Sequence, residues 1–247
     1  MVELTISLFI FIFGILIGSF LNVVIYRIPK GESIVFPSSK CQSCQTSLKW
    51  YHNIPIFSWL FLRGKCAFCS EKISIQYPLI ELTTGFIAIS LYYKLGLVWN
   101  FPIVFAVFTI LLALVIIDFK YMEIPDSLNL LALALAIITP TFLDSMQNAL
   151  LAVGGFTLLR YYLSYFLNKE AMGEGDIIVA GTMGGLLGFP LFFYAMFLSA
   201  ILAIIPSLMA QNEEKAIPFV PFLAMATFIV YIFDSQVKTV VEFIIYG

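Results

Sequence analysis

The feature that most constrains this chain is a succession of apolar segments separated by short polar breaks. Hydrophobic residues occupy 61% of the 247 positions, charged residues only 11%, and the mean hydropathy is +1.00. This apolar fraction is higher than that of typical soluble domains, and apolar runs of about 20 residues match the thickness of a bilayer. The sequence therefore predicts an all-α polytopic membrane protein.

The apolar segments predict about eight transmembrane helices. They cover residues 4–26, 78–95, 101–118, 127–143, 147–167, 176–189, 190–209 and 217–233. The sixth and seventh are separated only by the short turn Gly188-Phe189-Pro190. In the first, Gly14-x-x-x-Gly18 is a spacing that lets a second helix approach closely. That first segment is too long for a signal-peptide core and is expected to remain as a span.

A polar block at residues 30–77 interrupts the apolar pattern and carries all four cysteines. They form Cys41-x-x-Cys44 and Cys66-x-x-Cys69, with 21 residues between the pairs. Two such pairs are typical of a closed structural Zn²⁺ site, although this separation just exceeds the usual 15 to 20 or so residues. A metal would stabilise a block too small for its own core. The alternative is two redox-active or free-thiol pairs.

The distribution of basic residues predicts the orientation of the chain. With eight spans, only Lys94 and Lys238 of the 13 Lys and Arg residues lie on the side opposite the polar block. The positive-inside rule then places the block in the cytoplasm and both termini outside. Three domains are predicted: residues 1–29 as the first helix, 30–77 as the cytoplasmic four-cysteine domain, and 78–247 as the catalytic membrane domain.

Two carboxylates in apolar surroundings are the candidate catalytic residues. Asp118 closes the third span, and Asp176 follows Gly173-Glu174-Gly175 at the start of the sixth. An Asp at membrane depth costs about 2.5–3.5 kcal/mol and usually has a function. The predicted topology brings both to the cytoplasmic face. Two adjacent carboxylates share one proton, so one activates water while the other polarises a carbonyl, as in aspartic proteases.

The residues alone leave other interpretations open. Asp176 is a suitable N-cap for the following helix, as Asp126 is for the fourth span. Paired acids also occur at the proton or ion sites of transporters, although no inverted repeat is visible here. A zinc-bearing membrane adaptor without chemistry is a third class. No basic run suggests nucleic-acid binding.

Several ordered stretches between residues 14 and 222 carry a resemblance to a known family. They are Gly18-Ser19-Phe20-Leu21-Asn22, the two cysteine pairs, His52-Asn53-Ile54-Pro55, Tyr77-Pro78 with Glu81, Asp118 with Ile124-Pro125-Asp126, Gly173-Glu174-Gly175-Asp176, and Ile217-Pro218-Phe219-Val220-Pro221-Phe222. Together they resemble the type IV prepilin peptidases, also called leader peptidase/N-methyltransferases.

The resemblance implies an intramembrane aspartyl protease of the Gly-x-Gly-Asp class, with Asp118 and Asp176 as the catalytic pair. It implies removal of the basic leader from prepilins or pseudopilins at the cytoplasmic face of a bacterial inner membrane. Many members then methylate the new N-terminus with S-adenosylmethionine. The implied partners are the prepilin substrate and the lipid bilayer. A peptidase without methyltransferase activity is the alternative.

Overall fold

The computed structural model describes residues 2–139, 141–168, 172–209 and 218–246. Within these ranges the chain forms helices and loops, with two isolated β-bridges and no strand. The prediction of an all-α chain is therefore confirmed for this part of the sequence. Lys169, Lys215 and Ile217, which entered the charge and motif arguments, lie outside it. The chain divides into two compact units, Met1–Leu97 and Val98–Gly247.

The N-terminal unit consists of two long helices joined by the polar block. Helix α1 covers Val2–Arg27, the short α2 covers Phe57–Phe61, and α3 covers Gln76–Leu95. Helices α1 and α3 pack along each other, and at Gly18 an added Cβ would lie only 2.7 Å from the Cα of Glu81. The close helix approach predicted from the glycine spacing is therefore confirmed.

The C-terminal unit contains seven helices within the described residues. They are α4 Asn100–Tyr121, α5 Asp126–Ile137, α6 Phe142–Leu167, α7 Glu174–Leu187, α8 Leu191–Met209, α9 Val220–Ile232 and α10 Asp234–Tyr246. Helix α7 is the central element, because it packs against α5, α6, α8 and α9. Its small and apolar residues allow this burial on several sides.

Each predicted span overlaps one helix of the described chain, but the boundary between the fourth and fifth is misplaced: α5 ends at Ile137, six residues before the predicted end, and α6 begins at Phe142, five residues before the predicted start. The turn between the sixth and seventh segments is present, since α7 ends at Leu187 and α8 begins at Leu191. The prediction that Asp126 caps the fourth span is wrong. Pro125 occupies the N-cap position of α5, and no side chain makes a capping hydrogen bond there. The chain enters the helix through the fixed φ of this proline, so Asp126 becomes the first helical residue.

Four helices of the described chain are long and apolar enough to cross a membrane. They are Glu3–Lys30, Asn100–Tyr121, Phe142–Leu167 and Leu191–Leu208, and α9 with α10, bent by 91°, would make a fifth. Only 11% of the Phe142–Leu167 window is buried inside the protein, which suits a helix that faces lipid. The structure thus supports a helical membrane protein with four to five candidate spans, and the count of eight is not reached by this criterion.

Candidate active site and metal centre

Asp118 lies near the end of α4 with one carboxylate oxygen uncommitted. The side chain is 5% exposed, and α4 ends three residues later at Tyr121. Met122 then adopts a left-handed conformation and donates its N–H to the Asp118 carbonyl oxygen at 3.0 Å. The backbone N–H of Val220, the first residue of α9, donates to the carboxylate. Among the described residues Oδ2 has no hydrogen-bond partner, so it is left for a ligand or a shared proton.

Asp176 lies in the first turn of α7. Gly173 is the N-cap of this helix, and its N–H donates to Asp176 Oδ2 at 3.2 Å. The aspartate thus stabilises the helix start from the third helical position, not as the N-cap itself. This contact engages Oδ2 alone, so a capping contribution and a second role are compatible.

The structure brings Asp118 and Asp176 together. Ile124, in the link after α4, contacts Gly175 in the first turn of α7, and the charge of Asp176 acts on the Asp118 carboxylate. Two carboxylates close enough for the charge of one to act on the other favour a state in which they share one proton. This is the arrangement that general acid–base catalysis on a peptide bond requires.

Three residues to which the sequence analysis gave no role hold this arrangement, and two of them, Ile124 and Val220, lie in the motifs of the family resemblance. Asn129 on α5 is fully buried, and its Nδ2 donates to the Gly175 carbonyl oxygen at 2.9 Å. Ile124 packs so tightly on Gly175 that an added Cβ would lie 2.5 Å from its Cδ1. Val220 supplies the N–H that reaches Asp118. Outside those motifs, the sequence signal for Asn129 is an amide in the first turn of an otherwise apolar span.

The four cysteines form one cluster in the N-terminal unit. Their Sγ atoms all lie within 4.8 Å of one another, and those of Cys41 and Cys69 are 3.8 Å apart. Sulfurs that surround Zn²⁺ tetrahedrally at about 2.3 Å are themselves about 3.8 Å apart. The donor set therefore fits a four-thiolate metal ion. His52 is not a member of the cluster, and its ring packs against those of Tyr51 and Phe68.

Two loops of the same geometry present these thiols. In each, the N–H of the first cysteine donates to a carbonyl five residues later, to Thr46 at 3.0 Å and to Glu71 at 2.8 Å. A matching bridge closes each loop, Lys40 with Ser47 and Lys65 with Lys72. The residue four positions after each first cysteine has positive φ, 57° at Gln45 and 60° at Ser70. The polar block therefore contains a repeated knuckle, and the two loops together form a candidate metal site.

The thiols differ in their readiness to ionise. Hydrogen bonds from the Thr46 side chain and backbone lower the pKa of Cys44 to about 6, and backbone N–H groups of Cys69 and Phe68 lower the pKa of Cys66. A backbone bond at Glu71 lowers the pKa of Cys69, but burial and the three neighbouring sulfurs together raise it to about 12. Ionisation of all four adjacent thiols would therefore require a cation, which a divalent metal would supply.

Comparison with known proteins gives two family matches. The model described as the bacterial peptidase A24 N-terminal domain matches residues 12–95, and that of the type IV leader peptidase family matches residues 105–208. A relative from Stutzerimonas stutzeri is 31% identical, and the match covers 92% of this chain and 90% of the relative. The chain belongs to the type IV leader peptidase family. The cysteine cluster lies within the first match, and both aspartates lie within the second.

Two further relatives match this chain over different lengths. One from Xanthomonas campestris is 33% identical, with 90% of each chain covered. One from Myxococcus xanthus is 36% identical over 73% of this chain, which spans only 56% of that relative's length. All three relatives carry the name prepilin leader peptidase/N-methyltransferase. No solved structure matches the chain.

Proposed function

We propose that this protein is a prepilin leader peptidase that removes the basic leader from prepilins or pseudopilins. The observation that carries the proposal is that the charge of Asp176 acts on the Asp118 carboxylate, while Ile124 after α4 contacts Gly175 in the first turn of α7. The family membership and the names of the relatives give the same chemistry. We assign the catalytic role to these two carboxylates.

The reaction needs one proton shared by the pair. The ionised carboxylate takes a proton from water, and the resulting hydroxide adds to the carbonyl carbon of the scissile bond. The protonated carboxyl donates its proton to the carbonyl oxygen. When the intermediate collapses, the C–N bond breaks and a proton passes from the pair to the departing nitrogen. Gly173 and Val220 orient the carboxylates during these steps.

The topology belongs to the same proposal. We infer that α1 and α3 to α9 each cross the membrane, giving eight spans with both termini outside and the aspartate pair at the cytoplasmic face. In this arrangement residues 1–29 are the first span, 30–77 the cytoplasmic metal-binding domain, and 78–247 the protease domain. The strongly unequal distribution of Lys and Arg supports it. By the same rule a basic leader stays in the cytoplasm of the bacterial cell, next to the aspartates.

The cysteine cluster is proposed to bind one structural Zn²⁺ through Cys41, Cys44, Cys66 and Cys69. All four donors are thiols, and Zn²⁺ with four thiolates has no open position for water. The metal then holds the two knuckles together and takes no part in peptide hydrolysis.

Methylation of the new N-terminus is the second activity proposed. It is supported by the names of the relatives and uses S-adenosylmethionine as the methyl donor. The ammonium first loses a proton, and its nitrogen lone pair then attacks the methyl carbon. The N–C bond forms as the C–S bond breaks, and the electron pair of that bond goes to sulfur. A peptidase without this activity is the alternative.

Cleavage of a synthetic prepilin by the purified full chain tests the first activity. We expect Asp118→Asn and Asp176→Asn each to lower kcat by about 10²-fold or more, since each removes a general acid or base. Asp144→Asn is the matched control, because this acid lies in the first turn of α6. Processing at the wild-type rate by either dyad variant would exclude the proposed mechanism.

A further inference from the structure

A cavity of about 900 Å³ lies inside the N-terminal unit, bounded by α1, α3 and the polar block. Polar side chains line its inner wall, among them Ser19, Asn22, Arg27 and Glu81. The volume is in the range of small-molecule sites. The hydrolysis described above uses none of these residues.

A buried carboxylate, Glu81, lies in this wall, and the cationic residues that line the same cavity are Arg27, Lys40 and Lys72. Glu81 is 6% exposed, and its Oε2 accepts the backbone N–H of Ile56 at 2.7 Å. The Ser19 side chain also hydrogen-bonds the carboxylate. No described Lys or Arg side chain forms a salt bridge with it. A buried carboxylate is costly without a cationic partner, so the protein itself leaves this charge incompletely compensated.

The backbone is distorted to hold Glu81 in place. Ile56 has φ 61° and ψ −54°, a conformation that β-branched residues rarely adopt. Its N–H is thereby aimed at Glu81 Oε2. Strain of this kind persists where the surrounding structure requires it, and it is concentrated at functional sites.

A second acceptor on the same wall lacks a donor. Asn22 is 4% exposed, and its Nδ2 donates to the carbonyl oxygens of Gly18 and Tyr77, each at 3.2 Å. Because both partners are acceptors, the amide cannot be turned around without losing both bonds. Its Oδ1 is therefore fixed as an acceptor, and it has no partner in the described chain.

The arginine of the cavity does not compensate these acceptors. Arg27 is 8% exposed, and its two terminal nitrogens donate to the carbonyl oxygens of Ser33 and Pro37, each at 2.8 Å. The wall thus offers a carboxylate and an amide oxygen to a ligand that must bring its own charge and donors. An ammonium group has both, with three N–H donors.

We propose that this cavity binds a primary ammonium group, with Glu81 as its charged acceptor and Asn22 Oδ1 as a neutral one. The inference rests on the methyl transfer of the proposed function, because both reactants carry such a group. One is the new N-terminus of the processed chain, and the other is the amino-acid end of S-adenosylmethionine. If the group is the N-terminus, Glu81 also receives the proton that the nitrogen loses before it attacks the methyl carbon.

Binding to the full-length, metal-loaded protein tests the site and distinguishes the two sources. The probes are a peptide with the processed N-terminus, its N-acetylated form, and S-adenosylmethionine. The variant Glu81→Gln keeps the size of the side chain and the hydrogen bond from the Ile56 N–H. We expect it to weaken the binding of one ammonium-bearing probe at least tenfold. Binding of the acetylated peptide should be equal in both proteins. Weakening of the free peptide alone identifies the N-terminus as the occupant, and weakening of S-adenosylmethionine alone identifies the methyl donor.

Thr84→Val is the matched control. Thr84 is fully buried one helical turn after Glu81, and its hydroxyl donates to the Ile80 carbonyl of its own helix at 2.7 Å. It should change neither binding constant by more than twofold. Equal binding of both ammonium probes to wild type and Glu81→Gln would overturn the proposal. An equal loss for the acetylated peptide would do the same, since it would indicate general disruption.

Methyl transfer to a pre-cleaved substrate gives an independent readout. We expect Glu81→Gln to raise at least tenfold the KM of the reactant whose ammonium group occupies the site. The same variant should lower the rate of methyl transfer at least tenfold more than the rate of leader cleavage in the same preparation. A fall of kcat alone at unchanged KM would contradict the binding role. If the wild type transfers no methyl group, the second proposed activity is wrong, whereas the binding measurement still decides the ammonium site.

Discussion

At the scale of single residues, the candidate dyad depends on two backbone donors, one distant in the chain and one three residues away. One oxygen of Asp118 is held by Val220, whereas Oδ2 lacks a partner among the described residues. Asp176 is held by Gly173 at the start of its own helix. The positions of the two carboxylates therefore depend on the backbone segments that donate hydrogen bonds to them. Changes in those segments should affect catalysis.

The Asn129 side chain should contribute to both stability and turnover. We expect Asn129→Ala to lower the free energy of unfolding by about 1–3 kcal/mol, because the Gly175 carbonyl loses its buried donor. Cleavage kcat should fall with it, since Gly175 precedes Asp176. Thr109→Val is the control, because Thr109 is buried but donates only to Phe105 of its own helix. Thermal unfolding and cleavage assays should show a larger effect at Asn129 than at Thr109.

Gly175 should tolerate no side chain while Ile124 is present. An added Cβ would lie 2.5 Å from Ile124 Cδ1, and relief of such overpacking costs about 1–3 kcal/mol. We expect Gly175→Ala to lower the melting temperature and slow cleavage, with partial recovery in the double variant with Ile124→Ala. Recovery should be incomplete because the Ile124 Cβ is itself 2.8 Å away. Gly154→Ala, where nothing lies within 4 Å, should be neutral, and an equally neutral Gly175→Ala would contradict the packing argument.

At the scale of elements, the polar block is organised by its two knuckles. Short loops such as these bury little apolar surface, so they depend on a cross-link for stability. The cluster of free thiols within 4.8 Å supplies ligands for a metal ion in place of disulfides. Loss of one ligand should therefore disorganise both loops.

Metal content should depend on each cysteine. Protein purified under reducing conditions should contain about one zinc per chain, because four thiolates complete one tetrahedral site. Cys44→Ser should contain none, and treatment of the wild type with a strong chelator should lower its melting temperature. Ser43→Ala, next to the ligand, is the control and should retain the metal. Elemental analysis is the measurement, and zinc at the wild-type level in Cys44→Ser would exclude the four-thiolate site.

At the scale of the whole molecule, topology decides whether the dyad faces the substrate leader. Four or five helices pass a criterion of length and hydropathy, whereas the eight-span proposal also requires shorter helices such as α5 and α7 to cross. The two counts place the link at residues 96–99 on different sides relative to the polar block. This link therefore distinguishes them.

Reporter fusions should locate the links of the membrane-spanning helices. An enzyme that is active only outside the cytoplasm should be active when fused after Leu97 and inactive when fused after Glu123. The physical reason is that α3 returns the chain to the outside and α4 brings it back to the cytoplasmic face. A fusion within residues 30–39 is the control for the cytoplasmic side. Activity after Glu123 would place the dyad on the wrong face for a cytoplasmic leader.

Much of this protein follows from its sequence because its signals are local. Apolar runs of sufficient length must become helices in a bilayer, so the helices were predicted at the right places in the chain, with the largest errors of five and six residues where α5 ends and α6 begins. The paired cysteines indicated a cluster because each pair is only three residues apart. The glycines at positions 14 and 18 likewise indicated close packing of α1.

Tertiary structure alone decided what surrounds the polar groups. Asn129, Ile124 and Val220 act on the dyad through contacts between segments that are distant in the chain, and no periodicity encodes such contacts. The distorted backbone at Ile56 and the fixed amide of Asn22 were also not predictable, since each is set by a partner on another element. Hydropathy and spacing determine which segments become helices, whereas the environment of a buried carboxylate depends on how those helices pack.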